Sequence, residues 1–303
     1  MSSGTKSSDG RVFLIGGGWE ETVADVVHGP FLRAARAARA ASRASGAAPA
    51  GVAGADSGSA PRILCVIVDE GDGAEQFARY DVALRRAGDC TPVPSLVPVG
   101  ERFELGAVTE DVSGVFVCGG LTPAYQEALA EASGPLAALL VERGLPYAGF
   151  SAGAALAARD AVVGGWLVDG VAVCPPDTAE DLEEIEVRAG LGLVPFGVEN
   201  HAAQWGTLGR LTAVVAGGRL AHGVAIDENT LVEVGGEGGE GGDGRARVSG
   251  LGRAHSVRPA PGGGVLVRSY GDGESFPVSA PVSAPVPVSV PASASASASV
   301  SVS

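Results

Sequence analysis

Four short segments constrain this chain more than anything else in it: "RVFLIGGGW" (11–19), "RILCVIVDE" (62–70), "SGVFVCGG" (113–120) and "LPYAGF" (145–150). Each holds an unbroken apolar run of strand length. A strand with one wet face alternates apolar and polar residues, whereas a strand covered on both faces does not. Each run is also trailed by a helix-like stretch: about 20–42, 74–87, from Pro123 onward, and after Ser151. Pro123 suits a first helical turn, where a missing N–H is no loss. Strand then helix, repeated, predicts an α/β chain with a mostly parallel sheet between helical layers, a three-layer α/β/α sandwich. "PVPSLVPV" (92–99) adds a strand limited by its prolines.

Beyond Trp166 the pattern changes. Residues 177–187 are acidic, 190–200 contain a short apolar strand, and 201–218 read as a helix or a loop leading into one. "HGVAIDENTLVEV" (222–234) reads as strand, turn, strand, and C-terminal antiparallel strands close the sheet. Residues 1–10 read as a disordered lead, and 45–61 and 235–244 as flexible loops. The Pro/Val/Ser/Ala stretch 276–303 is a low-complexity tail that cannot build a core. One domain over 11–275 is expected.

The charge balance narrows the partners. Net charge is −14 and Lys6 is the only lysine, which disfavours nucleic acid and anionic membranes. Cys65, Cys90, Cys118 and Cys174 show no C-x-x-C spacing, so they read as small buried hydrophobes in a reducing compartment. No metal site and no cofactor is expected. No stretch approaches the roughly 20 apolar residues of a membrane span, and "MSSGTKSSDGR" lacks an apolar signal core. A cytoplasmic protein is the expectation, and a homodimer stays open.

The chemistry centres on "GFSAG" (149–153), a G-x-S-x-G pattern. With 47 glycines and 25 serines in the chain, about 0.6 such matches arise by chance, so context must decide. Ser151 follows an apolar strand and precedes a helix-like run, the context that a nucleophile on a sharp turn requires. An activated serine also needs a base, a group to orient the base, and N–H donors for the developing oxyanion. Ala152, at the helix start, offers one N–H, and Gly119 or Gly120 of "VCGG" the second. Of the four histidines, His28 reads as a surface or packing residue and His255 lies in a late turn. His201, after a strand, leads as the base, with His222 as the alternative. Glu228, Asp227, Glu199 and Asp169 all remain open as the orienting carboxylate.

Four blocks, in order over about 220 residues, resemble peptidase family S51, the aspartyl dipeptidase and cyanophycinase group: "LIGGGW" (14–19), "VCGGLTPAYQEAL" (117–129), "AGFSAGAAL" (148–156), and "ENHAAQWGTLGRL" (199–211) with "GVAIDENTLVEV" (223–234). The resemblance implies a flavodoxin-like sheet related to class I glutamine amidotransferases. It also implies Ser151 as nucleophile, His201 as base, Glu228 as orienter, and a small peptide as substrate. The chain departs from the family at Leu121-Thr122, where Asn and Gln usually stand. It departs again at Asn200, where Gln is common, and at Thr207, where an arginine is expected. In the family these positions help hold an acidic substrate. Thr122, Asn200 and the surviving Arg210 are therefore candidate substrate contacts, with acidic specificity set apart from the hydrolytic machinery. The expected activity is a serine exopeptidase. The alternatives are a catalytically silent binding or scaffold protein, and a non-peptide amidase or acyltransferase.

Overall fold

The computed structural model describes residues 10–44, 60–235 and 244–278. The first apolar run forms β1 (Val12–Ile15), followed by α1 (Ala24–Val27) and α2 (Gly29–Ala44). The sequence predicts one helix here, but the chain breaks at His28. Pro30 has no N–H to return to the carbonyl four residues back, and its ring crowds that turn. Next come β2 (Arg62–Asp69), α3 (Gly73–Ala87) and β3 (Thr91–Pro98). Then β4 (Val112–Val117) leads into α4 (Thr122–Leu129), with Pro123 in its first turn, and α5 (Ser133–Arg143). The run at 145–150 becomes β5 (Tyr147–Phe150) and turns at Ser151 into α6 (Ala152–Leu156).

An excursion follows, with short strands β6 (Asp160–Gly164), β7 (Leu167–Val168), β8 (Val171–Ala172) and β9 (Glu186–Ala189). Then come β10 (Gly197–Asn200), α7 (Ala202–Trp205), α8 (Leu208–Ala216), β11 (Gly223–Ile226) and β12 (Thr230–Val234). The chain closes with β13 (Arg245–Gly250), β14 (Ala254–Pro259), β15 (Val265–Tyr270) and β16 (Ser275–Pro277).

The main sheet runs β16-β13-β12-β1-β5-β4-β2-β3. Its five strands from β1 to β3 are mutually parallel, and β12, β13 and β16 extend it antiparallel. Alternate residues of the apolar strands go to opposite cores. Phe13, Ile63, Cys65, Phe116 and Phe150 meet Phe31, Tyr80 and Leu84 of α2 and α3. Leu14, Leu64, Val66, Val115 and Tyr147 meet Tyr125, Leu136 and Leu140 of α4 and α5. Burial on both faces is why these strands carry no alternation, and the architecture is the expected mostly parallel α/β sandwich.

The C-terminal strands do not all join this sheet. A second sheet, β10-β11-β14-β15, pairs β10 with β11 in parallel and β14 antiparallel to both neighbours. Val198, Val224 and Ile226 turn toward the main core, while Ala225 and Val257 turn to Leu211, Val214 and Val215 of α8. The domain also runs past 275. β16 pairs with β13, and Phe276 is fully buried. Only the expected tail beyond 278, the lead before 10 and the loop residues 45–59 and 236–243 lie outside the described residues. All four cysteines are buried free thiols.

Candidate active site

The ends of β1 and β5 lie level, with Ile15 opposite Phe150. The Gly16-Gly17 turn and Ser151 therefore leave the sheet side by side, at the carboxyl edge where ligands of open α/β sheets bind. Ser151 N–H donates to Ile15 O at 2.9 Å, and the residue sits at φ 49, ψ −112. An L residue there is strained by about 1–3 kcal/mol. Close packing holds the turn in place. Gly149 and Gly153 approach so closely that a Cβ on either would strike backbone, at Gly153 O or Val117 O respectively.

His201 follows β10 and is itself left-handed, at φ 53. Its N–H donates to Gly16 O at 3.0 Å. Ser151 Oγ lies 2.8 Å from His201 Nε2, and His201 Nδ1 lies 2.8 Å from Glu228 Oε1. With Nδ1–H donated to the carboxylate, Nε2 is left to accept from the serine hydroxyl. Burial lowers the His201 pKa, and the Glu228 hydrogen bond and charge oppose that only in part. Burial therefore favours the neutral imidazole, the form that can accept a proton. Trp205 stacks on its ring at 3.8 Å between centroids and 8° between planes. Glu228 N–H donates to Gln204 Oε1 at 2.9 Å, tying the turn before β12 to α7.

The other carboxylates are committed elsewhere. Asp227 accepts from Ala203 N–H and Arg253 N–H and faces His255 at 3.3 Å. Glu199 is clamped by Arg210, with Nε to Oε2 at 2.7 Å and Nη2 to Oε1 at 2.9 Å. Asp169 stands in the turn between β7 and β8, at φ 50. His222 is buried against Ser256 and Phe196, and His255 lies within β14, where a late turn is expected from sequence. His28 is buried at 5% exposure and packs against Phe116 and Phe150.

The two glycines of "VCGG" separate. Gly119 N–H donates to Tyr80 Oη at 2.8 Å, and Gly119 O accepts from Tyr125 Oη at 3.0 Å. Gly119 is thereby withdrawn as an oxyanion donor and serves as a pinned peptide. Gly120 N–H and Ala152 N–H have no partner among the described residues. Thr122 and Asn200 line the cavity beside Ser151. Asn200 Nδ2 donates to Ser151 O at 2.8 Å, and Thr207 Oγ1 donates to Asn200 O at 2.6 Å. Arg210 also reaches this cavity, but it is only 4% exposed and gives its remaining hydrogen bonds to Gly165 O and Thr178 O. It is a structural ion-pair partner with no donor fork to spare for a substrate.

Sequence reasoning passed over Tyr80, Gln204, Trp205 and Glu180. Each acts on a residue 24 or more positions away or through stacking, and no local pattern announces either. Among the described residues no cluster of three His, Cys, Asp or Glu could hold a metal ion, and no helix is long and apolar enough to cross a membrane. A larger cavity of about 360 Å³ opens between α1 and α3, lined by Trp19, His28 and Arg79, and no side chain of the Ser151-His201-Glu228 chain reaches it.

No protein-family model matches the chain, and no curated protein matches it. Among solved structures it is similar to one from Listeria monocytogenes EGD-e that carries the provisional description of a peptidase E protein. The two are 15% identical, the match covers 80% of this chain and 98% of that one, and the TM-score is 0.45.

Proposed function

We propose that the chain is a serine-type hydrolase of small peptides, an exopeptidase laid out like the S51 peptidases. The observation that carries this reading is the unbroken chain from Ser151 Oγ through the His201 ring to Glu228, with 2.8 Å at each link. It hangs on a serine whose backbone is held in a strained turn at a sheet's carboxyl edge.

In this reading His201 Nε2 takes the Ser151 proton as Oγ attacks the substrate carbonyl. Glu228 fixes the ring and steadies the imidazolium. Gly120 N–H and Ala152 N–H receive the oxyanion. His201 then protonates the leaving amine, and water hydrolyses the acyl-serine by the same path in reverse. A fluorophosphonate probe should form an adduct on Ser151 in the native protein. Ser151→Ala should abolish turnover of a dipeptide library while keeping the native melting transition. Undiminished turnover in that variant would sink the assignment.

A silent binding protein is the second reading, favoured by the narrow space beside Ser151 and by Trp205 lying flat on the base. Absence of a Ser151 adduct would favour it.

A further inference from the structure

The cavity beside Ser151 is rich in acceptors and poor in free cations. Glu180, in the loop that precedes β9, accepts from Thr122 N–H at 2.9 Å through Oε2 and makes no ion pair among the described residues. Arg210 is the guanidinium whose charge reaches it, but that side chain is spent on Glu199, Gly165 and Thr178. Asn200 is 6% exposed, and its Oδ1 is buried with no donor among the described residues. A buried amide oxygen without a donor is unfavourable unless something else supplies the hydrogen bond. Glu180 is also held at φ 57, a conformation that L residues avoid. Desolvation raises its pKa, and the Thr122 hydrogen bond and the Arg210 charge oppose that only in part.

Resting on the hydrolase reading above, we propose that this subsite takes the free α-ammonium of the substrate's N-terminal residue, with Glu180 as the residue that selects it. A primary ammonium brings a positive charge and three N–H donors. One suits the Glu180 carboxylate and another Asn200 Oδ1. The cavity holds about 10 Å³, room for roughly one water-sized group. An ammonium head fits, whereas a lysine or arginine side chain does not. Ala155, Val162 and Val163 wall the same space, so the accompanying side chain lies outside it. A substrate carboxylate would face Glu180 and find no cation free to receive it. The site thus departs from acidic specificity.

The test compares alanyl aminomethylcoumarin, its N-acetylated form and aspartyl aminomethylcoumarin on the full chain, wild type and Glu180→Gln. Gln keeps the shape and an acceptor for Thr122 N–H while removing the charge. Wild type should prefer the free amine over the acetylated substrate by roughly ten-fold or more in kcat/KM, and alanyl over aspartyl. Glu180→Gln should collapse the first preference toward one, mainly through KM. Equal kcat/KM for free and acetylated substrates in wild type would overturn the proposal, and so would an unaltered preference in Glu180→Gln. The wild-type comparison needs no variant, so it decides even if Glu180→Gln fails to fold. Fluorophosphonate labelling of Ser151 without cleavage of the free-amine substrates removes this inference and leaves the hydrolase reading standing. Absence of labelling removes both.

Discussion

At the scale of single residues, the site depends on contacts that sequence distance hides. Gly17 lies directly under His201, the proposed base: a Cβ there would collide with the ring, and its φ of +103 disfavours any other residue. Gly17→Ala should displace the imidazole and lower kcat/KM by about 10²-fold, the size expected of a catalytic group moved by about 1 Å, and steady-state kinetics on a folded variant would read it. If Glu228 orients the base as proposed, Glu228→Gln should lower kcat by about 10³–10⁴-fold. His201 must be neutral to act, and burial lowers its pKa. Activity should therefore be full at pH 7 and fall as pH drops through a midpoint below the ordinary histidine value of about 6.5. A kcat/KM profile with its acid limb above that value would contradict this. The turn at Ser151 between β5 and α6 was legible because its motif is local. Glu228 could not be told from Asp227 because neighbours in a turn point apart, and only the partners Ala203, Arg253 and His255 reveal that Asp227 is taken.

At the scale of elements, β10 delivers the site. Glu199 and Asn200 end it and His201 follows at once, and the Glu199–Arg210 pair fastens its end to α8 and to the loops carrying Gly165 and Thr178. Burial opposes the charge on Arg210, but the Glu199 carboxylate more than offsets it. Breaking one half of such a pair strands a buried ion. Arg210→Met should destabilise the fold by about 3–5 kcal/mol, and the double variant Glu199→Leu/Arg210→Met should recover much of that. Urea melts of the three proteins measure it, and a small loss in the single variant would show that water reaches Glu199. The strands feeding the main sheet were readable as apolar runs. β10 and β11 were readable as strands, but their separate sheet was not. Segments of four residues, Gly197–Asn200 and Gly223–Ile226, carry too short a period to say which core each face meets.

At the scale of the whole molecule, two cores share one sheet, and the burial that stabilises them also traps neutral histidines. His28 and His222 are 5% and 6% exposed, and burial first of all pushes both pKa values down to about 4. The burial of His28 follows from the helix break at Pro30, and that of Phe276 from the pairing of β16 with β13. The pairing could not be read from a Pro- and Val-rich composition, so the extension of the fold past 275 emerged only with the structure. The unfolded chain binds protons at these histidines near pH 6.5 while the folded chain does not. Their contribution to stability is therefore full above about pH 6.5, is lost as pH falls toward 4, and then levels off. Each shift corresponds to about 3 kcal/mol. His28 Nδ1 is buried with no hydrogen-bond partner among the described residues, so His28→Leu removes an unsatisfied polar atom. That variant should match or exceed wild-type stability at pH 8 and lose visibly less between pH 6.5 and 4 in parallel urea titrations. An unchanged acid slope would mean that His28 gains access to water, or to a proton, without unfolding.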